Sequence, residues 1–506
     1  MQKYSIIIDW MRKNLLITIF SFATVFLISF VFFALFEFKG TMPLFSGEDS
    51  FYHVGMAKYI SSHGIPQTFP YLNFTIINDK FVDHQLLFHL LLVPFIKLFG
   101  ENIGPKLMNI LFISLTFSLI FLIFRHYKLK LAALYSALIL FTMPCDFYFR
   151  MAFIRVQGVA LFLMTLSYYF ILKNNCIALL ITSFFFVWLY GGSVFLPALI
   201  VIYIISEALS GEKIDWKIIL YGISGFALGI IINPYFPKNI FFLYSQIFQT
   251  GIGAKPYSGG EWRPYDTWYW TTISIIPIVI FFGSILFSLA RNIKIDARKL
   301  TLLLFSFFML LLQWKSKRFV EYWPFFASVT GILLIGQYFE KSMEGMKRNA
   351  NIILFSTMAS ILVFIITIKA SVEITQGYKD TKTPINASAT KQVNDYLIAN
   401  SESGQIIFTD DWDVFPFYFF FNQKNYYIVG LDPEFMNLYS HTLYEEYSKI
   451  SSGNDTENLE RIKEDFNSSW VLVGKDHPNF KRNLNNKPSL FTEVFENSDY
   501  TLYKVN

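Results

Sequence analysis

Three stretches of the chain, Leu15–Phe36, Ile273–Leu289 and Ile352–Ile368, each run for 17 residues or more without a charged side chain. A helix of about 20 such residues crosses the hydrocarbon of a bilayer. In lipid, only helices and closed barrels satisfy every backbone polar group. Composition points the same way: charged residues are 16% and hydrophobic residues 54% of the 506, where a soluble domain carries roughly 25% charge. The first run is too long for the apolar part of a signal peptide, and no small-residue cleavage site follows it, so a retained helix is expected. The chain therefore reads as an α-helical polytopic membrane protein.

About eleven spans are expected, near 14–36, 105–124, 131–145, 156–172, 176–190, 193–209, 217–233, 270–290, 299–314, 322–339 and 351–369. The pair flanking Gly191-Gly192 reads equally as one kinked helix. Short basic connections, among them Arg125/Lys128/Lys130, Lys213/Lys217 and Arg291/Lys294/Arg298, fall on one side if residues 84–99 lie at the interface rather than cross. The positive-inside rule then makes the N-terminus cytoplasmic and places the loops 37–104 and 234–269 and the tail outside. The charge balance changes sign at the tail. From Ala370 onward there are 12 Lys+Arg against 20 Asp+Glu, whereas residues 1–369 carry 30 against 17. Residues 1–369 are thus expected as the membrane domain and 370–506 as a soluble extracytoplasmic one. Within the latter, Gln405–Thr409, Tyr426–Val429, Trp470–Gly474 and Tyr500–Val505 read as strands, with helices at 412–421 and 432–450, the alternation of a small α/β domain.

Candidate chemistry gathers in the outer segments. Asp49 opens a helical stretch that puts His53 one turn further on, and a second acid–histidine pair is Asp83-His84. Carboxylates beside an apolar surface are costly unless they serve a purpose, although Asp49 and Asp83 also stand where helix N-caps belong. Arg150 and Arg155 in one short outer link, and Lys315, Lys317 and Arg318 in another, run against the positive-inside trend. Basic residues so placed suit a phosphate; contact with lipid headgroups, or pairing with Asp146 and Glu321, is the plainer alternative. The two cysteines, Cys145 and Cys176, fall at opposite membrane surfaces, too far apart for a disulfide.

Gly47–Ile60 (GEDSFYHVGMAKYI) resembles the first outer loop of GT-C glycosyltransferases, where an aspartate precedes an aromatic-rich interfacial helix. Phe147–Arg150 (FYFR) is similar to a segment of their second outer loop, and Trp188–Phe195 (WLYGGSVF) to a link between two of their spans. In the tail, Trp412-Asp413 within Asp410–Asp413 (DDWD) matches part of the WWDYG motif with which oligosaccharyltransferases recognise an acceptor. The resemblance implies a GT-C-like fold. It also implies transfer of a sugar or oligosaccharide from a polyprenyl-phosphate-linked donor to a lipid, glycan or protein acceptor, on the outer face of a bacterial or archaeal plasma membrane. Asp49 would be the base, with Asp83, His53 and His84 around it. Arg150, Arg155, Lys315 and Arg318 would hold the donor phosphate, and Trp412 and Asp413 the acceptor. Membrane lipids are the other expected partners; nucleic acid is not.

The sequence itself demands no cofactor. The resemblance implies a divalent cation, Mg2+ or Mn2+, on a D-x-D pair after the second-loop arginine. Here that stretch is Val156-Gln157-Gly158-Val159, so the metal candidates are Asp49, Asp146 and Glu261, with Asp83 beside them. A protein-glycosylating oligosaccharyltransferase is the near alternative, though the full WWDYG is missing. A transporter or a scaffold is the distant one, disfavoured because no internal repeat is evident and the charges gather at one surface. The orientation has a direct test. A cysteine placed at Ser452 should react with a membrane-impermeant thiol reagent in intact cells and one at Asn292 should not; the reverse pattern would overturn it.

Overall fold

The computed structural model describes residues 2–39, 45–78, 80–245, 260–345, 350–380 and 386–506. Parts of both expected outer loops, 40–44, 79 and 246–259, lie outside the described residues. Every one of the eleven expected segments is helical. Among the described residues, four helices can by length and composition cross a membrane, Leu15–Phe38, Leu86–His126, Gly191–Leu209 and Ala297–Lys315. Two bent pairs, Ala132–Leu140 with Cys145–Met151 and Thr267–Ile273 with Ile275–Ala290, raise that to six. Shorter apolar helices cover Gln157–Leu172, Cys176–Leu189 and Trp216–Ile231, and Trp323–Gly345 and Ala350–Asp380 cover the last two segments. Residues 176–209 form two helices separated by the 3-10 turn Gly191–Val194. The segment expected at the interface is the first arm of Leu86–His126, set off from the second by Gly100, whose φ of 80° and ψ of 164° interrupt the helix. Few residues other than glycine tolerate that conformation.

The chain divides into two compact units. One comprises Met1–Gly40, Lys106–Ile232 and Glu261–Lys382; the other comprises Thr41–Pro105, Asn233–Gly260 and Thr383–Asn506. Residue 370, where the composition changes, falls inside the helix Ala350–Asp380.

In the first unit, the helices Cys176–Leu189 and Trp216–Ile231 approach closely because one presents Gly222, Gly225 and Gly229. A Cβ at Gly225 would lie 2.3 Å from the Leu180 carbonyl oxygen, and one at Gly229 would lie 2.7 Å from that of Phe184. Lipid supplies no hydrophobic force between helices, so small residues that admit close backbone packing take that role. The Trp188 indole donates to the Gly229 carbonyl at 3.0 Å and fastens the pair. Cys145 and Cys176 are both free.

The second unit is built on a five-stranded sheet. Its strands are β1 (Ile406–Thr409), β2 (Tyr426–Tyr427), β3 (Ser468–Gly474), β4 (Phe491–Glu496) and β5 (Tyr500–Val505), in the order β2-β1-β3-β5-β4. β1 runs parallel to β2 and β3, while β5 is antiparallel to β3 and β4. β4 is absent from the sequence reading. It is an edge strand carrying exposed Glu493 and Glu496, the kind of charge that blunts an open edge and that hides a strand from a search for apolar runs. The expected helix 432–450 is two, Glu434–Tyr439 and His441–Ser451.

The helix Phe415–Phe421 is apolar all round and buried at six of its seven positions. It packs on the helix Asp49–His63 at Gly55, where a Cβ would lie 3.1 Å from the Phe419 ring. The Phe51 and Phe417 rings sit 4.3 Å apart, and the Gln423 amide donates to the Gly55 carbonyl at 3.0 Å. Next to this contact, Leu72 forms a parallel bridge with Tyr427 that lengthens the sheet by one edge.

Gly225→Ala should lower the thermal midpoint of the purified protein by overpacking, a cost of about 1–3 kcal/mol. Gly283→Ala, whose Cβ meets nothing within 4 Å, should leave it unchanged. Equal midpoints for the two variants would remove the case for close helix packing at Gly225.

Candidate active site

In the second unit, the helix Asp49–His63 starts on Asp49 itself. Glu48 occupies the N-cap position and makes no side-chain capping bond, so Asp49 sits in the first turn, where the helix dipole favours a carboxylate. One turn later His53 is buried, and its Nδ1 meets Nε2 of His89 at 2.8 Å. The other nitrogen of His89, Nδ1, meets Asp83 Oδ2 at 2.6 Å. Asp83, His89 and His53 are thus a buried acid–imidazole–imidazole chain. The second Asp83 oxygen accepts from the Gln85 amide at 3.0 Å, just ahead of the helix that begins at Leu86. Burial, followed by Asp83, Tyr235 and Asp49, pushes the Tyr52 hydroxyl well above its ordinary value.

His84, the second of the two histidines chosen from the sequence, is not part of this acid–imidazole chain. It stacks on Phe242 at 5.0 Å and contacts the Gln85 amide. His89 takes the position instead. The signal for it was the helical phase, because residues 88, 89 and 92 form one buried face and a histidine there must find a polar partner.

In the first unit, three arginines converge on one carboxylate. Glu261 Oε2 lies 3.2 Å from Arg150 Nη2 and 3.1 Å from Arg318 Nε, and Oε1 lies 3.4 Å from Arg155 Nη1. Arg150 also pairs through Nε with Glu321, and both are buried. Burial pushes the Glu261 carboxyl up, but the charges of Arg150, Arg155 and Arg318 outweigh it and hold the group well below the usual range. The segment carrying Glu261 is fastened to the Lys317–Glu321 turn. The Ser316 hydroxyl donates to the Glu261 carbonyl at 2.9 Å, the Lys317 amide donates to the Arg263 carbonyl at 3.0 Å, and the Arg318 guanidinium lies 4.5 Å over the Trp262 ring. Three arginines against two glutamates leave one excess positive charge. Since Glu261 is half-exposed while Glu321 is buried, an arriving anion has one carboxylate to replace. The pairing of Arg150 with Glu321 was among the alternatives open at the sequence level, and both it and the arginine convergence are present. Lys315, the last residue of its helix, is exposed. Asp49 and the arginines belong to different units.

Asp146 accepts hydroxyls from Tyr265 and Tyr269, one on each oxygen, at 2.5 and 3.0 Å. With Cys145 and Asp380 it forms one of two groups among the described residues whose ligand atoms lie within 4.8 Å of one another, so a metal could be held there. At the position where the resemblance expects a metal-binding carboxylate, the buried Gln157 carbonyl oxygen has no hydrogen-bond partner among the described residues. In the tail, Trp412 packs against the core of the sheet. Burial, followed by the charge of Asp411, pushes the Asp413 carboxyl up to about 7. Asp411 organises this loop by accepting the Trp412 amide at 2.7 Å.

No family model and no curated protein matches the sequence. Solved structures match in fold. An archaeal oligosaccharyltransferase, AglB from Archaeoglobus fulgidus in complex with an inhibitory peptide and a dolichol-phosphate, gives a TM-score of 0.65 at 12% identity, over 90% of this chain and 69% of that one. ArnT from Cupriavidus metallidurans bound to undecaprenyl phosphate gives 0.58 at 12% identity, over 96% and 97%. Likeness at this identity establishes the fold: the chain has the GT-C architecture expected from its sequence, with a small mixed sheet near the C-terminus. With its apolar helices, it is an integral membrane protein.

Removing Glu321 by Glu321→Gln leaves Arg150 buried without its close counter-ion, and breaking a buried pair costs about 3–5 kcal/mol. Thermal unfolding in detergent should show that loss, and Lys315→Gln, at an exposed position, should shift the midpoint little. A Glu321→Gln protein as stable as the wild type would show that the pair is not structural.

Proposed function

We propose that the chain is a membrane glycosyltransferase that moves a sugar or oligosaccharide from a polyprenyl-phosphate-linked donor to an acceptor on the extracytoplasmic face of a bacterial or archaeal plasma membrane. The observation that carries this reading is the convergence of Arg150, Arg155 and Arg318 on the half-exposed Glu261, in a fold shared with two proteins crystallised with polyprenyl phosphates. Guanidinium groups bind phosphate oxygens through paired donors, and a cation cluster already held in place needs no reorganisation when charge develops. Glu261 would be the placeholder that the donor phosphate displaces.

In the proposed reaction, Asp49 takes the proton of the acceptor hydroxyl or amide as that atom bonds to the anomeric carbon. The bond from that carbon to the phosphate oxygen breaks, its electron pair leaves on the phosphate, and the arginines stabilise the charge. Attack opposite the leaving group inverts the anomeric centre. Asp83, His89 and His53 would keep the helix Asp49–His63 and the start of the next helix in register. Lys315 would add to the attraction for the donor, and Trp412 and Asp413 would contact the acceptor. The residues present do not reproduce a D-x-D metal site. Residues 156–159 hold no carboxylate, three arginines occupy Glu261, and both oxygens of Asp146 accept tyrosine hydroxyls. No step is therefore routed through a cation.

Asp49→Asn keeps the shape of the side chain and removes the proton acceptor. Transfer of labelled sugar from a polyprenyl-phosphate donor should fall about 100-fold to 10,000-fold, while thermal stability should change by no more than about 1 kcal/mol. Near wild-type transfer by this variant would end the assignment of Asp49 as the base. Arg318→Ala should weaken donor binding without altering membrane insertion.

A further inference from the structure

In the second unit, the chain leaves β1 on one side to form β2 and returns on the other to form β3. Where strand order reverses in this way, a crevice opens beyond the C-terminal ends of the two central parallel strands, and α/β folds bind ligands there. Asp410 directly follows β1, and Asp476 and His477 follow β3. Their ligand atoms lie within 4.8 Å of one another: His477 Nδ1 is 3.1 Å from Asp410 Oδ2 and 3.3 Å from Asp476 Oδ1. The arrangement is held by backbone. The Gly474 amide donates to Asp410 Oδ2 at 2.5 Å, and a Cβ at Gly474 would come within 2.6 Å of Asp476 Oδ1 and 3.2 Å of Asp410 Oδ2. Asp411 adds a further carboxylate near His477.

A buried phenol lies near the same strands. Tyr418 is completely buried, and its hydroxyl has no hydrogen-bond partner among the described residues. That hydroxyl lies in the field of Asp410 and Asp411. Its ring stands 6.1 Å from the ring of Tyr500, the residue that pairs with Gly474 across β3 and β5. A buried phenol is ordinarily hydrogen-bonded, and this one has no such partner among the described residues.

We infer that Asp410, Asp476 and His477 form a divalent-cation site at the head of β1 and β3. Two carboxylate oxygens and one imidazole nitrogen make a mixed donor set, suited to Mn2+ or Zn2+ rather than to Ca2+. Asp476 is 81% exposed, so the remaining coordination positions open to water. A cation there would fasten the β1 loop, which carries Trp412 and Asp413, to the β3 loop. The inference does not depend on the proposed transfer reaction.

The test uses the full chain in detergent, titrated with MnCl2 alone and followed by electron paramagnetic resonance. One Mn2+ should bind per chain and show coupling to an imidazole nitrogen. His477→Gln should abolish that coupling and weaken binding at least about tenfold. Asp476→Asn, at an exposed side chain that leaves the fold intact, should weaken binding to a similar degree. Asp380→Asn, in the separate Cys145–Asp146–Asp380 group, should change neither signal. No binding by the wild type at millimolar Mn2+, or binding that survives both His477→Gln and Asp476→Asn, would overturn the site. Loss of the signal in Asp380→Asn would overturn it too.

Discussion

The packing of the helix Phe415–Phe421 on the helix Asp49–His63 is the contact on which the second unit depends. Seven consecutive residues, six aromatic and one proline, form a helix with no polar face. Such a helix persists only if it is covered on every side. One side is covered by the helix that starts with Asp49, and Gly55 lets it come close enough for Phe419 to fill the gap. Each buried aromatic removes roughly 150–250 Å2 from water, so a few such rings outweigh the backbone cost of ordering a short helix. The candidate base, the buried histidine chain and the sheet are tied together through hydrophobic contact, and the polar groups come to rest where that contact leaves them.

The first unit depends on charge instead. Arg150 is buried against Glu321, and the desolvation of a guanidinium without a close counter-ion is not repaid. Glu261 then does for the half-exposed end of the cluster what a bound anion would do. A buried counter-ion and a replaceable one give the arrangement a fixed part and an exchangeable part.

Much of this was legible in the sequence, for identifiable reasons. Apolar runs reveal membrane helices because lipid imposes a length. The β1, β2, β3 and β5 segments reveal themselves because their apolar residues cluster, and β4 does not because its glutamates sit on an edge. Arg150, Arg155 and Arg318 stood out because basic residues in short outer links are rare, so the cation group was visible before its geometry. Its meeting with Glu261 was not, since the contacts of Arg150 and Arg155 with that residue join segments more than a hundred residues apart and no local pattern encodes them. The same holds for His89. Adjacency in sequence favoured His84, whereas three-dimensional burial selects the histidine that shares a helix face with Phe88 and Leu92.

The second unit is assembled from three stretches separated along the chain, and the hydrogen bond between Gln423 and Gly55 closes a sequence interval of 368 residues. During synthesis at about 5–20 residues per second, that interval takes roughly 20–70 s. Through this time the helix Asp49–His63 is complete but lacks the aromatic helix that covers it. The residue proposed as the base is among the first of its unit to be made, and the helix that carries it gains its aromatic cover only once residues 415–421 have been synthesised.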